Sequence, residues 1–117
     1  PVHDHVADAV GAGVDADLMY RVIKDGAGTS RMFEVRGPLM AKQRYLPPTM
    51  KVDVYQKDIA IIKAFAARLR CPTPLFSLSK RYYDMAYAGG FEKHDTAAVH
   101  AVLRKVAGLG GKRGKQG

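Results

Sequence analysis

The longest apolar-rich run free of Gly and Pro is Met50–Leu69, MKVDVYQKDIAIIKAFAARL. At 3.6 residues per turn, Val52, Tyr55, Ile59, Ile62, Ala66 and Leu69 fall on one side of a helix, and Val54, Ile61 and Phe65 widen that side. The pattern predicts a helix that buries most of its circumference and is the central one of its domain. Asp53 and Lys57 stand four apart, acid first, which is the favourable order for an ion pair along a helix. Lys57 points roughly opposite the centre of the apolar side. Asp58 lies at the border, with no base three or four residues on. Pattern alone makes Lys57 and Asp58 a solvated face.

The flanking segments are also helical in pattern. Asp15 is a good N-cap for a helix over Ala16–Lys24, with Leu18, Met19, Val22 and Ile23 as its buried edge. Thr29 or Ser30 caps the next helix, from Arg31 to Met40, where Gly37-Pro38 predicts a kink or break at Arg36. Leu46-Pro47-Pro48-Thr49 is a turn, and Cys71-Pro72-Thr73-Pro74 stops the long helix and forms a stiff connector. Leu75, Leu78, Tyr82, Met85 and Ala86 mark a further helix that ends at Gly89-Gly90. Asp95 or Thr96 caps the last helix, whose apolar side is Val99, Val102, Leu103 and Val106. There is no alternating strand pattern and no repeat. The expected fold is all-α, with five or six helices and short loops.

Composition narrows the function. The 117 residues are 47% hydrophobic, which fits one globular domain and not a disordered chain. No apolar run approaches the roughly 20 residues that span a bilayer, and the start is not a signal peptide. With one cysteine there is no internal disulfide and no zinc spacing, which suits a reducing cytoplasm. Cys71 lacks a nucleophile's signature and is expected to be a buried helix-end thiol. The net charge of +8 is uneven: residues up to Leu103 carry 14 bases and 11 acids, and Arg104, Lys105, Lys112, Arg113 and Lys115 face no acid. Residues 1–107 are therefore read as one helical domain and 108–117 as a basic, Gly-rich tail expected to be disordered. That tail offers charge but no interleaved aromatic, so no specific nucleic-acid role is assigned.

The chain has no dinucleotide-binding GxGxxG, no P-loop and no GxSxG. His3, Asp4, His5 and Asp8 complete no tight coordination set and read as polar residues of a short first helix, so no metal is expected. His94 and His100, six apart, are a poor metal pair.

The order of several segments carries more information. GAGTSRMF, RGPLM, a Tyr-then-Pro turn, QKDIAI, the Cys-Pro-x-Pro-Leu connector and Gly-Phe-x-x-x-Asp-Thr-Ala-Ala-Val follow one another along nearly the whole chain after Asp15. The series resembles the C-terminal helical domain of the β-hydroxyacid dehydrogenases, the 3-hydroxyisobutyrate dehydrogenase-like branch of the 6-phosphogluconate dehydrogenase superfamily. The look is nearest to threonate dehydrogenase-like members.

The resemblance implies an NAD- or NADP-dependent oxidoreductase acting on a β-hydroxyacid in the cytoplasm. This chain would be its substrate- and cofactor-closing domain and its oligomerisation domain. The alternative is a non-catalytic helical assembly module. In the family's motif Lys57 would lie at the cofactor, near the nicotinamide. Asp58 would hold the local geometry, and Met50 stands where many relatives have a phenylalanine. The family's Rossmann domain is absent from these residues, and so is its catalytic lysine. The resemblance therefore implies that the chain is one domain of a longer enzyme or a truncated product, inactive when isolated. Its implied partners are that Rossmann domain, a small hydroxyacid and further copies of itself.

Overall fold

The computed structural model describes residues 11–109. The expected first helix over Pro1–Val10 and the tail from residue 110 lie outside the described residues. Among those described there are five α-helices: α1 (Ala16–Lys24), α2 (Arg31–Lys42), α3 (Val52–Arg68), α4 (Pro74–Ala86) and α5 (Val99–Val106). A π-helical turn at Tyr87–Phe91 and a 3-10 turn at Thr96–Ala98 precede α5. The described residues contain no strand, only an isolated antiparallel bridge between Lys51 and Asp95. The all-α expectation holds. None of these helices is long and apolar enough to cross a membrane.

Two compact units divide the chain. The first runs to Tyr45 and resumes at Ala97; the second is Leu46–Thr96. In the first, the Asp15 carboxylate caps α1 by accepting from the Leu18 N–H at 3.0 Å, and the Ser30 hydroxyl caps α2 by accepting from the Phe33 N–H at 3.0 Å. The inner edge of α1 is half-buried Ala16, Met19, Tyr20 and Ile23, whereas Leu18 and Val22, expected inside, face outward. Phe33, Gly37 and Met40 form the buried face of α2, at helical spacing. In α5, Val99 and Val102 are buried as expected, Leu103 is half-buried and Val106 is exposed.

The expected break at Arg36 does not occur, because α2 continues through Pro38 to Lys42. A proline at this position cannot donate to the carbonyl four residues back, that of Glu34. The Tyr20 hydroxyl donates to that carbonyl instead, at 3.3 Å. The Tyr20 ring packs against Phe33 with centroids 5.3 Å apart and passes directly over Gly37, where a Cβ would overlap it. Gly37 therefore admits the ring, and the ring repairs the helix that Pro38 would otherwise weaken. Elsewhere in this unit Tyr45 and His100 are buried and share a hydrogen bond of 2.9 Å. Burial pushes the Tyr45 hydroxyl up to about 12, against a smaller lowering pull from Arg104.

In the second unit α4 lies along α3. The Tyr55 and Tyr83 rings meet edge to face at 4.8 Å, Gln56 donates to Asp84, and Lys63 donates to the Ser77 hydroxyl at 2.6 Å. The buried apolar residues here are Val52, Ile59 and Ala86. The expectation that α3 buries most of its circumference fails: Ile62 is 45%, Phe65 54% and Leu69 61% exposed. Cys71, expected to be buried, is exposed.

Two outcomes follow. Gly37→Ala should lower the unfolding free energy by about 1–3 kcal/mol through overpacking against Tyr20, seen as a lower urea midpoint at unchanged slope. Tyr45, ordinarily ionising near 10, holds its proton to about 12 when folded. The unfolded chain then binds fewer protons than the folded one above pH 10, so stability falls as pH rises from there. An ultraviolet titration should show one phenol ionising near 12, and Tyr45→Phe should remove it.

Candidate functional site

The sequence singled out Met50, Lys57 and Asp58, and all three lie at the N-terminal part of α3 or just before it. Lys51, at the N-cap, has no acceptor to offer the helix, and no side chain caps α3. The first orphan donors of α3 are satisfied from a distant segment. The Val52 N–H donates to the His94 carbonyl and the Asp53 N–H to the Glu92 carbonyl, each at 2.9 Å. The Thr96 N–H donates to the Met50 carbonyl at 2.8 Å.

Asp95 completes this junction. Its side chain is fully buried (0% exposed). Oδ1 accepts from the Thr49 N–H and hydroxyl, both at 2.8 Å, and from the Met50 N–H at 3.1 Å. The expectation that Asp95 or Thr96 caps the last helix is corrected: α5 starts from Ala98 without a side-chain cap. Asp95 instead fixes the turn that delivers Met50 and starts α3. It stood in the quoted Gly-Phe-x-x-x-Asp-Thr-Ala-Ala-Val series, but helix-capping logic pointed it forward along the chain, not back across forty-odd residues.

Lys57 is exposed and bonds to no described residue. The expected Asp53–Lys57 pair is not formed, because Asp53 Oδ2 is taken by Lys93 Nζ at 2.6 Å. The Lys93 hydrogen bond holds the Asp53 carboxyl below its ordinary value, and the same bond raises the Lys93 ammonium. Lys63 and Lys80 are engaged as well, by Ser77 and Asp84. Asp58 is exposed and bonds to no described residue, and Met50 is half-buried with its backbone held on both sides.

Counting four residues at a time from Lys57 leads to Ile61, Phe65 and Leu69, with Val54 three residues before it. This outward stripe is apolar: Ile61 is 67% exposed, and the Arg68 guanidinium lies 5.6 Å from the centre of the Phe65 ring. A free ammonium at the end of an exposed apolar stripe can donate to phosphate or sugar oxygens of a ligand brought by another body. It bonds to no acid or base among the described residues that would make it a catalytic group. No group of three His, Cys, Asp or Glu among the described residues is placed to hold a metal.

These positions all lie within a family match. The family model described as "NAD-binding of NADP-dependent 3-hydroxyisobutyrate dehydrogenase" covers residues 2–103. The chain belongs to the 3-hydroxyisobutyrate dehydrogenase family. Within it, L-threonate dehydrogenase of Escherichia coli (strain K12) is 33% identical over 92% of this chain and 35% of its own length. L-Threonate dehydrogenase of Cupriavidus necator is 37% identical over 74% of this chain and 29% of its own length. The crystal structure of 3-hydroxyisobutyrate dehydrogenase from Salmonella typhimurium superposes with a TM-score of 0.79 at 34% identity, covering 86% of this chain and 35% of that one. The chain thus spans about a third of the length of these relatives.

The resemblance read from the ordered motifs holds, and the family's cofactor is NAD or NADP. The residues present fit one edge of such a cofactor: a free ammonium, with Met50 anchored at the start of the same helix. They offer no glycine-rich cradle. Asp95→Ala should release the Thr49–Met50 turn and cost about 3 kcal/mol or more of stability, measurable by urea unfolding, because three donors lose a charged acceptor.

Proposed function

We propose that this chain is the helical domain that closes over substrate and cofactor in an NAD(P)-dependent β-hydroxyacid dehydrogenase. It works there with a dinucleotide-binding domain carried on the same polypeptide or on another. The observation that carries this reading is the Lys57 ammonium, left unpaired within its own unit and set on an outward apolar stripe.

In such an enzyme the dinucleotide supplies the hydride acceptor or donor, and the substrate is a 3-hydroxy acid or a similar sugar acid. The hydroxyl proton goes to a base outside these residues. Lys57 donates to sugar or phosphate oxygens and orients the nicotinamide end, so its effect is one of positioning. Met50 fills apolar space at the nicotinamide end, and Asp58 holds the local geometry. The enzyme is cytoplasmic, and the chain alone is inactive.

A second reading, an assembly module, is favoured by the breadth of exposed apolar surface. Ile61 and Phe65 on α3, Leu69 at its C-cap and Leu75 on α4 are each more than half exposed, as a face that meets another copy would be.

Paired with its dinucleotide-binding domain, Lys57→Ala should raise the KM for the cofactor about tenfold, a loss of about 1.4 kcal/mol. The chain alone should show no calorimetric binding of NAD(P)H at micromolar concentration. Unchanged kinetics in the variant would remove Lys57 from the site.

A further inference from the structure

The second unit holds a small competition for charge. Asp53 is the only acid three or four residues from Lys57 on α3, and in a lone helix the two would pair. Here the Asp53 carboxylate is turned to Lys93. We propose that Lys93 is a positioning residue: by holding Asp53 it keeps the Lys57 ammonium free for the phosphate and sugar oxygens of a dinucleotide. This rests on the reading of Lys57 given above.

Three observations carry the inference. Lys93 is held in place by its neighbours, since the carbonyls of Glu92 and His94 on either side of it both accept from the first turn of α3. The ion pair joins an exposed ammonium to a largely covered carboxylate: the Lys93 side chain is 70% exposed and that of Asp53 20%. Asp53 has a further oxygen to satisfy, because Oδ1 is shielded from solvent and accepts from no described residue. Without Lys93 the carboxylate needs another donor; the charge of Lys51, two residues before it, already acts on Asp53, and the ammonium one helical turn on is Lys57. A bare Asp53 would also set a negative charge one turn from the position offered to an anionic ligand.

The effect on the charge states supports the same picture. The Lys93 bond holds the Asp53 carboxyl below its ordinary value and so favours the carboxylate, and the Lys93 ammonium is raised by Asp53 first of all. Lys93→Gln should return Asp53 to Lys57.

The test has two readouts. In the first, NMR titration of the whole chain follows the Asp53 carboxyl and the Lys57 ammonium. In the native chain Asp53→Asn should leave the Lys57 titration unchanged. In the Lys93→Gln background the Lys57 midpoint should rise, and adding Asp53→Asn should cancel the rise. If Lys57 titrates alike in Lys93→Gln with and without Asp53→Asn, or already responds to Asp53→Asn in the native chain, the inference is overturned. In the second readout, cofactor affinity is measured with the dinucleotide-binding domain present. Lys93→Gln should weaken NAD(P)H binding by about two- to threefold, and Asp53→Asn should restore it. Weaker binding in Lys57→Ala but not in Lys93→Gln overturns the inference and leaves the Lys57 reading standing. Unchanged binding in Lys57→Ala removes the reading, and the inference with it, while the NMR arm still reports which lysine Asp53 holds.

Discussion

A carboxylate sealed from solvent must be surrounded by donors, and Asp95 is surrounded by the backbone and side chain of Thr49 and the backbone of Met50. That requirement fixes where α3 begins. The helix has no cap of its own, and its first two N–H groups reach carbonyls on the segment that carries Asp95. The register of α3, and with it the direction in which Lys57 projects, therefore depends on an anchor forty-odd residues away. The same segment brings Lys93 to Asp53. One buried charge thus sets both the frame of the helix and the distribution of the mobile charges on its surface.

The elements were legible because they follow local rules. Asp15 and Ser30 cap the helices that their positions indicated, and the Gly- and Pro-rich stretches fall at helix ends or between helices except at Gly37-Pro38. The buried face of α2, Phe33, Gly37 and Met40, was not legible, because Gly37-Pro38 reads as a break and the Tyr20 ring that Gly37 admits lies on another helix. What local rules could not supply was the identity of each partner. Asp53 sits four residues before Lys57, and the helical rule pairs them. A lysine forty residues further on wins because two backbone hydrogen bonds hold it beside the carboxylate. Asp95 was misassigned for a related reason, since a capping rule looks a few residues ahead and the donors lie far behind. The role proposed for Lys57 came from the ordered motifs, and its lack of a bond to a described residue is a property of the folded unit.

The outward stripe of α3 shows a different limit. A run containing Val54, Ile61, Phe65 and Leu69 announces burial, but hydropathy does not say in what. Val52 and Ile59 are covered by this chain, while the opposite side is as apolar and stays open to solvent. In a family whose members are about three times longer than this chain, an amphipathic reading of one domain mixes surfaces it closes itself with surfaces closed by something else.

The exchange between Tyr20 and Pro38 has an evolutionary corollary. Each position is unremarkable alone, yet a hydroxyl on α1 stands in for an amide hydrogen missing from α2. Descendants that restore an ordinary residue at 38 would regain the main-chain donor and release position 20 to drift toward phenylalanine. Those that keep the imino acid should retain a side chain able to reach the Glu34 carbonyl. The two sites are expected to vary together across relatives, although they lie eighteen places apart and on different helices.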